Sequence, residues 1–252
     1  MRLRYDLPMI LGADTLVRVT EDIVGMVRQR FGSTPLFWGR YFKRPGFAED
    51  YHPASENAVF NANAIRLLPI ARQTNRVAGT APDGAADAIL NVDAFTTALD
   101  IDYLRKIGGE LLMFLDVEGT SERHPNLSLE YWMGWSTALT AHARRSGIAM
   151  LPAVYCRQNQ NATWDAIARA DQLGFPCAGA WVFRMRTGAC TKPIPGWDVP
   201  FNTPSVALPC PVMLWQFAID CIFDGGVDFN MVNPDPAVAS ALLNRLVFPG
   251  AG

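Results

Sequence analysis

The chain has 252 residues, 50% of them hydrophobic, and a formal charge of −2, which suits the filled core of a large α/β domain and excludes a disordered chain. No long run of either charge marks a nucleic-acid scaffold or a polybasic membrane anchor, and no window reaches the roughly 20 apolar residues that span a bilayer. In MRLRYDLPMILGADT the basic residues precede a short apolar patch, but Asp6 and Pro8 interrupt it and no small-residue cleavage site follows. No signal peptide is read there, so the cytoplasm is the default location, with export by a non-Sec route or release by lysis as alternatives.

Apolar, β-rich runs alternate with helical patterns along the chain, the signature of βα units around a parallel sheet. PMILGAD predicts a strand ending near Asp14, PLFWGRY one near Tyr41, AIRLLPIARQ one near Gln73 and LLMFLDVE one near Glu118. IAMLPAVYC, AGAWVFRM, PVMLWQF and VDFN predict four more, ending near Cys156, Met185, Phe217 and Asn230. Between them VTEDIVGMVRQRF, DAILNVDAFTTALDIDYLRKIG, SLEYWMGWSTALTAHARRSG and ATWDAIARADQLG have helical spacing, several opening with Ser, Thr or Asp at the N-cap. In the third of these, Leu129, Trp132, Met133, Trp135, Ser136 and Leu139 form one packing stripe and Gly147 sits where a C-cap belongs. Thr187 to Pro211, rich in proline and glycine, reads as a long loop, and loops of that length are usually functional or mobile. Eight alternations predict a (β/α)8 barrel over residues 1–252 as a single domain, with an open doubly wound sheet as the alternative.

No GxGxxG or GxxxxGK[ST] opens a helix, so no nucleotide cofactor is expected. His52, His124 and His142 lack metal-ligand spacing and read as structural or surface residues; no metal is expected. Cys156, Cys177, Cys190, Cys210 and Cys221 form no CxxC pair and are odd in number, which points to buried free thiols.

Acid-x-acid spacing occurs at Asp100/Asp102 and at Asp116/Glu118, about as often as chance provides. Position separates the two, because Asp100 and Asp102 lie in a polar helical stretch whereas Asp116 and Glu118 end an apolar strand. Side chains two apart on a strand share a face, so both carboxylates project together, and as buried ions they would need partners, water or a substrate. Asp14 closes the first strand, Asp228 lies on the last, and Gln73, Tyr155, Arg184, Trp215 and Gln216 sit near the ends of others. In a barrel such positions converge, and clustered carboxylates raise one another's pKa, as a general acid requires. Trp215 or Tyr155 would give a stacking face for a sugar, and Gln216 and Arg184 would bind hydroxyl or carboxylate groups. The competing readings are an ion pair of Asp116 or Glu118 with Arg184 or Arg40, turn-capping by Asp14 and Asp228, and barrel packing by Trp215.

The set GAD, FLDVEG, LWQF and VDFN, in this order at strand ends, resembles the glycoside hydrolase family 25 lysozymes, and more closely the bacterial glycoside-hydrolase-like family DUF1906. The resemblance covers nearly the whole chain and implies a modified (β/α)8 barrel that hydrolyses peptidoglycan or a related N-acetylhexosamine glycan. It makes Glu118 the general acid, Asp116 the group that orients substrate or stabilises an oxocarbenium-like transition state, and Asp14 and Asp228 supporting carboxylates. A catalytically silent glycan-binding or interaction module on the same barrel is the alternative; an isomerase or aldolase is disfavoured by the absence of a strand-end lysine. The expected partner is a glycan, peptidoglycan first, with no nucleic acid and no membrane span expected, and the oligomeric state is left open.

Overall fold

A computed structural model of the chain describes residues 9–43, 51–72, 75–118, 124–223 and 226–250, and the strand-like runs close into a barrel ordered β1 to β8. The order along the chain is β1 (Leu11–Thr15), α1 (Glu21–Phe31), β2 (Phe37–Tyr41), α2 (Pro53–Ala62), β3 (Arg66–Arg72), α3 (Ala81–Leu99), α4 (Ile101–Ile107) and β4 (Glu110–Val117). It continues with α5 (Leu129–Arg145), β5 (Ala149–Arg157), α6 (Asn161–Gln172), β6 (Ala180–Phe183), α7 (Val199–Asn202), β7 (Val212–Ala218), β8 (Val227–Val232) and α8 (Pro236–Leu243).

Neighbouring strands from β1 to β7 pair in parallel, but β8 runs antiparallel to both β7 and β1. Only residues 219–226 link β7 to β8, too few for the crossover of a dozen or more residues that a parallel neighbour needs. The expected all-parallel barrel is therefore modified at its closing strand, and it is the start of β8, not its end, that lies at the mouth formed by the carboxyl ends of the other strands.

Alternation along each strand divides the core into two layers. Phe37, Leu68, Ile70, Leu112, Phe114, Ala153, Trp181 and Leu214 fill the interior, where Leu242 and Leu246 also pack. The intervening residues, such as Trp38, Leu67, Met113, Val154 and Phe217, meet the helices outside. The stripe on α5 is packing, as its spacing predicts: Trp132, Trp135 and Leu139 are wholly buried. Helix α3 crosses α5 closely, and a Cβ on Gly134 would overlap the Ala81 carbonyl. The single helical stretch expected around DAILNVDAFTTALDIDYLRKIG is two helices, because Asp100 adopts φ 62° and its side chain accepts from the Asp102 amide to begin α4.

The Thr187–Pro211 segment takes the place of a crossover helix over β6 and β7. Trp197 and Phe201 pack on Trp215 from outside, Arg186 pairs with Asp198 at 2.8 Å, and Arg30 donates to the Cys190 carbonyl at 2.6 Å. A Cys190–Cys221 disulfide joins it to the β7–β8 connection. The expectation of free thiols thus holds for Cys156, Cys177 and Cys210 but not for this pair, which the β7–β8 hairpin brings together across 31 residues of chain. Among the described residues, no helix is long and apolar enough to cross a membrane.

Candidate active site

Strand register places the carboxylates. Asp14 lies opposite Gly39 on β2 and opposite Asp228 on β8, while Asp116 lies between Arg72 on β3 and Tyr155 on β5. Asp14, Tyr41, Arg72, Asp116, Tyr155, Gln216, Asp228 and Asn230 all have the inward parity of the interior residues, one step closer to the mouth. Gly39 makes room for this layer: a Cβ there would come 2.7 Å from the Asp14 Cβ and 2.9 Å from Ile70 Cδ1.

A hydrogen-bonded chain ties the layer together. Asn230 accepts from the Trp181 indole at 3.0 Å and donates to Asp14 at 2.7 Å. Tyr155 donates its hydroxyl to Gln216 Oε1, and Gln216 donates to Asp228 at 2.5 Å. The other Asp228 oxygen accepts from the Asp220 amide at 2.9 Å. Asp116 differs: it is 3% exposed, and its Oδ1 is buried without a hydrogen-bond partner. An orphaned buried acceptor costs about 1–3 kcal/mol, a cost that a water, an ion, a ligand or a catalytic role would account for.

Burial dominates the electrostatics. It pushes Asp14 up to about 7, Asp116 up to about 8 and Asp228 up to about 8. Repulsion adds to the desolvation, from Asp116 on Asp14, from Glu118 on Asp116 and from Asp14 on Asp228, against a smaller opposing pull of Arg72 on Asp116. Burial and the three aspartates together drive the Tyr41 and Tyr155 hydroxyls well above the usual phenol range, so both remain donors. The layer can therefore hold several protons at neutral pH and yield them when positive charge develops nearby.

Glu118 follows Asp116 just beyond the end of β4, half-buried at the rim. Its partner is neither Arg184 nor Arg40. His124 Nδ1 lies 2.9 Å from Glu118 Oε2, whereas Arg40 pairs with Glu56 at 2.7 Å outside the barrel and Arg184 donates to Gln158 at 3.2 Å. His124, read from sequence as a structural or surface residue, is thus in contact with the expected acid.

Of the residues expected to bind substrate, Tyr155 and Gln216 lie in the mouth layer, while Arg184 is exposed at the rim beyond β6. Trp215 is a correction: it is fully buried on the outer face and its indole donates to the Arg184 carbonyl at 2.9 Å, so it packs and presents no ring to a sugar. Gln73 lies outside the described residues. Sequence reasoning missed Tyr41, Arg72 and Asn230, though two-residue spacing from Gly39, Ile70 and Asp228 points to each.

No family model matches the sequence, and no curated relative matches it. The fold is similar to that of an uncharacterized B. stearothermophilus protein at 23% identity and TM-score 0.68, covering 94% of this chain and 100% of that one. It is also similar to the catalytic domain of endolysin ply40 from bacteriophage P40 of Listeria monocytogenes, at 15% identity and TM-score 0.53, covering 94% and 98%. At these identities what the chain shares with its structural neighbours is a barrel fold, and the chemistry has to be argued from the mouth itself.

Proposed function

We propose that the chain is a glycoside hydrolase acting on peptidoglycan or a related N-acetylhexosamine glycan, related to the family 25 lysozymes and to DUF1906. The observation that carries this reading is the buried carboxyl layer at one end of a closed barrel, with an unpartnered Asp116 oxygen inside it and Glu118 at its solvent edge. The endolysin catalytic domain with the same fold over 94% of this chain supports it.

In this mechanism Glu118 donates its proton to the glycosidic oxygen as the bond from that oxygen to the anomeric carbon breaks. Positive charge then develops on the sugar ring. Asp116 stabilises that charge by passing its proton to the Glu118 carboxylate left by the first step, and Asp14 and Asp228 flank it in the same layer. Tyr155, Gln216 and Arg184 contact the sugar, Tyr155 as a donor. Water completes hydrolysis, either directly or after attack by a carboxylate or by the substrate's own N-acetyl group. The test is product analysis on purified peptidoglycan: new reducing ends at muramic acid or glucosamine are expected, and intact glycan strands after prolonged incubation would refute hydrolysis.

The Glu118–His124 contact favours a second reading, a silent glycan-binding module. The imidazole at 2.9 Å takes up Glu118 Oε2, the carboxyl oxygen an acid would present to the glycosidic bond. Glycan binding without new reducing ends would select it. On location, the Cys190–Cys221 disulfide favours an oxidising compartment over the cytoplasm, and we propose that the protein acts outside the cytoplasm.

A further inference from the structure

The connection that turns β8 antiparallel begins at Ile219, and Asp220 follows with φ 53°, in the left-handed region that a residue other than glycine enters at a cost. Such a conformation persists where its surroundings hold it. The Asp220 amide is the donor that meets Asp228 Oδ1 at 2.9 Å, while Gln216 serves the other oxygen. One of the two donors that fix Asp228 therefore depends on how the connection is folded.

The β7–β8 ladder does not control that fold. Gln216 pairs with Asn230 and Ala218 with Phe229, the register shifting between them, so the pairing with β7 ends one residue short of Asp228. On the β8 side the connection is tied to β1, where Thr15 donates its hydroxyl to the Gly226 carbonyl. On the β7 side the tie is different. The Asp220 and Cys221 amides bond within the hairpin, to Asp228 and to the Val227 carbonyl at 2.8 Å, and Cys221 is joined covalently to Cys190. Cys190 is anchored to α1 in turn, because Arg30 donates to its carbonyl at 2.6 Å and to that of Ala189 at 2.8 Å. The path from α1 through the disulfide thus ends one residue from the amide that fixes Asp228. Both half-cystines are half-buried, unlike the sealed Cys156 and Cys177, so a soluble dithiol can reach them. Accessible disulfides are the labile and regulatory ones.

We propose that the Cys190–Cys221 bond is a redox latch on the barrel mouth, with Asp220 as the positioning residue: closed, it seats the Asp220 amide on Asp228, and opened by a dithiol it releases that amide and leaves Asp228 unfixed. In the opening step a dithiol attacks one sulfur, the S–S bond breaks, and the reductant closes to its own disulfide while its two protons and two electrons pass to Cys190 and Cys221 as thiols. The carboxyl layer is then complete in an oxidising compartment and incomplete in a reducing one. This rests on the reading of that layer as the site, but the latch is defined without any substrate.

The test follows the Asp228 carboxyl carbon by NMR as pH is raised, on the full chain before reduction with dithiothreitol, after it, and after reoxidation with oxidised glutathione. A hydrogen bond accepted by the carboxylate opposes burial and the charges of Asp14 and Asp220, so loss of the Asp220 amide should raise the Asp228 midpoint from about 8 by about one unit, reversibly. Asp116, which answers to Glu118 and Arg72, should not move. The double variant Cys190→Ser, Cys221→Ser should titrate like the reduced protein whether or not dithiol is present. An Asp228 midpoint that ignores reduction, a double variant that titrates like the oxidised protein, or equal shifts of Asp228 and Asp116 overturns the latch. Outright unfolding of the reduced protein at 25 °C overturns it too, since the bond would then be a general staple. On purified peptidoglycan, reduction should slow the release of reducing ends by about 10- to 100-fold, and release that reduction leaves unchanged counts against the latch. No release by the oxidised protein, with the midpoint shift intact, sinks the hydrolase reading and leaves the latch standing.

Discussion

Replacing Asp116 by asparagine removes a titrating group from the barrel mouth with almost no change of shape, and its effect on stability has a definite sign. Burial and the neighbouring Glu118 raise the Asp116 pKa from 3.8 to about 8, so between those values the folded protein holds a proton that the unfolded chain releases. Stability contributed by this group is complete below pH 4 and is lost as pH rises through about 8. The shift spans roughly four pKa units at 1.36 kcal/mol each, a ceiling of about 5–6 kcal/mol. Water entry and proton sharing with Asp14 and Asp228 reduce that, and about 2 kcal/mol is a reasonable floor for a group this buried. Urea unfolding of wild type and Asp116→Asn at pH 5 and pH 8.5 measures it. Wild type should lose stability between the two pH values, the variant should lose at least about 2 kcal/mol less, and the variant should be the more stable protein at pH 8.5. A substitution that stabilises the fold while removing function is the behaviour of a group kept for chemistry. Identical pH slopes, or a variant less stable than wild type at pH 8.5, would refute the reasoning.

Other outcomes follow from single contacts. Gly39→Ala puts a methyl 2.7 Å from the Asp14 Cβ, and thermal melts should show a loss of about 1–3 kcal/mol. Unchanged stability would mean that Asp14 can move aside freely. Glu56→Ala removes the carboxylate that pairs with fully buried Arg40 at 2.7 Å, and should cost about 3–5 kcal/mol in chemical denaturation. A cost below about 1 kcal/mol would show that water reaches the guanidinium. Denatured but unreduced protein should expose three reactive thiols, those of Cys156, Cys177 and Cys210, and reduction should add those of Cys190 and Cys221. Closing 31 residues of chain, the disulfide should contribute about 3–4 kcal/mol, read as a lower unfolding midpoint after reduction.

Much of the barrel was written in local pattern. Apolar, β-rich runs such as LLMFL and AWVF became strands because each buries both faces, one inside the barrel and one under helices or loops. The direction of β8 was not legible, since alternation along VDFN reads the same either way; the shortness of the 219–226 connection is what decides it. Period two also explains the errors at the mouth. Trp215 and Gln216 are adjacent and must face opposite ways, so only one could line the cleft, and Gln216 does. Arg72 has the inward parity of Ile70. The Glu118–His124 contact bridges residues on either side of 119–123, and no periodicity links two groups across a connection of that kind.

The central claim is that Glu118 delivers the proton that breaks a glycosidic bond. Release of reducing ends from purified peptidoglycan, compared between wild type and Glu118→Gln with both shown to be folded, tests it most directly. A rate for the variant about 10²–10⁴ lower than wild type is the predicted result. Equal release by the two proteins, or none by either, would contradict it.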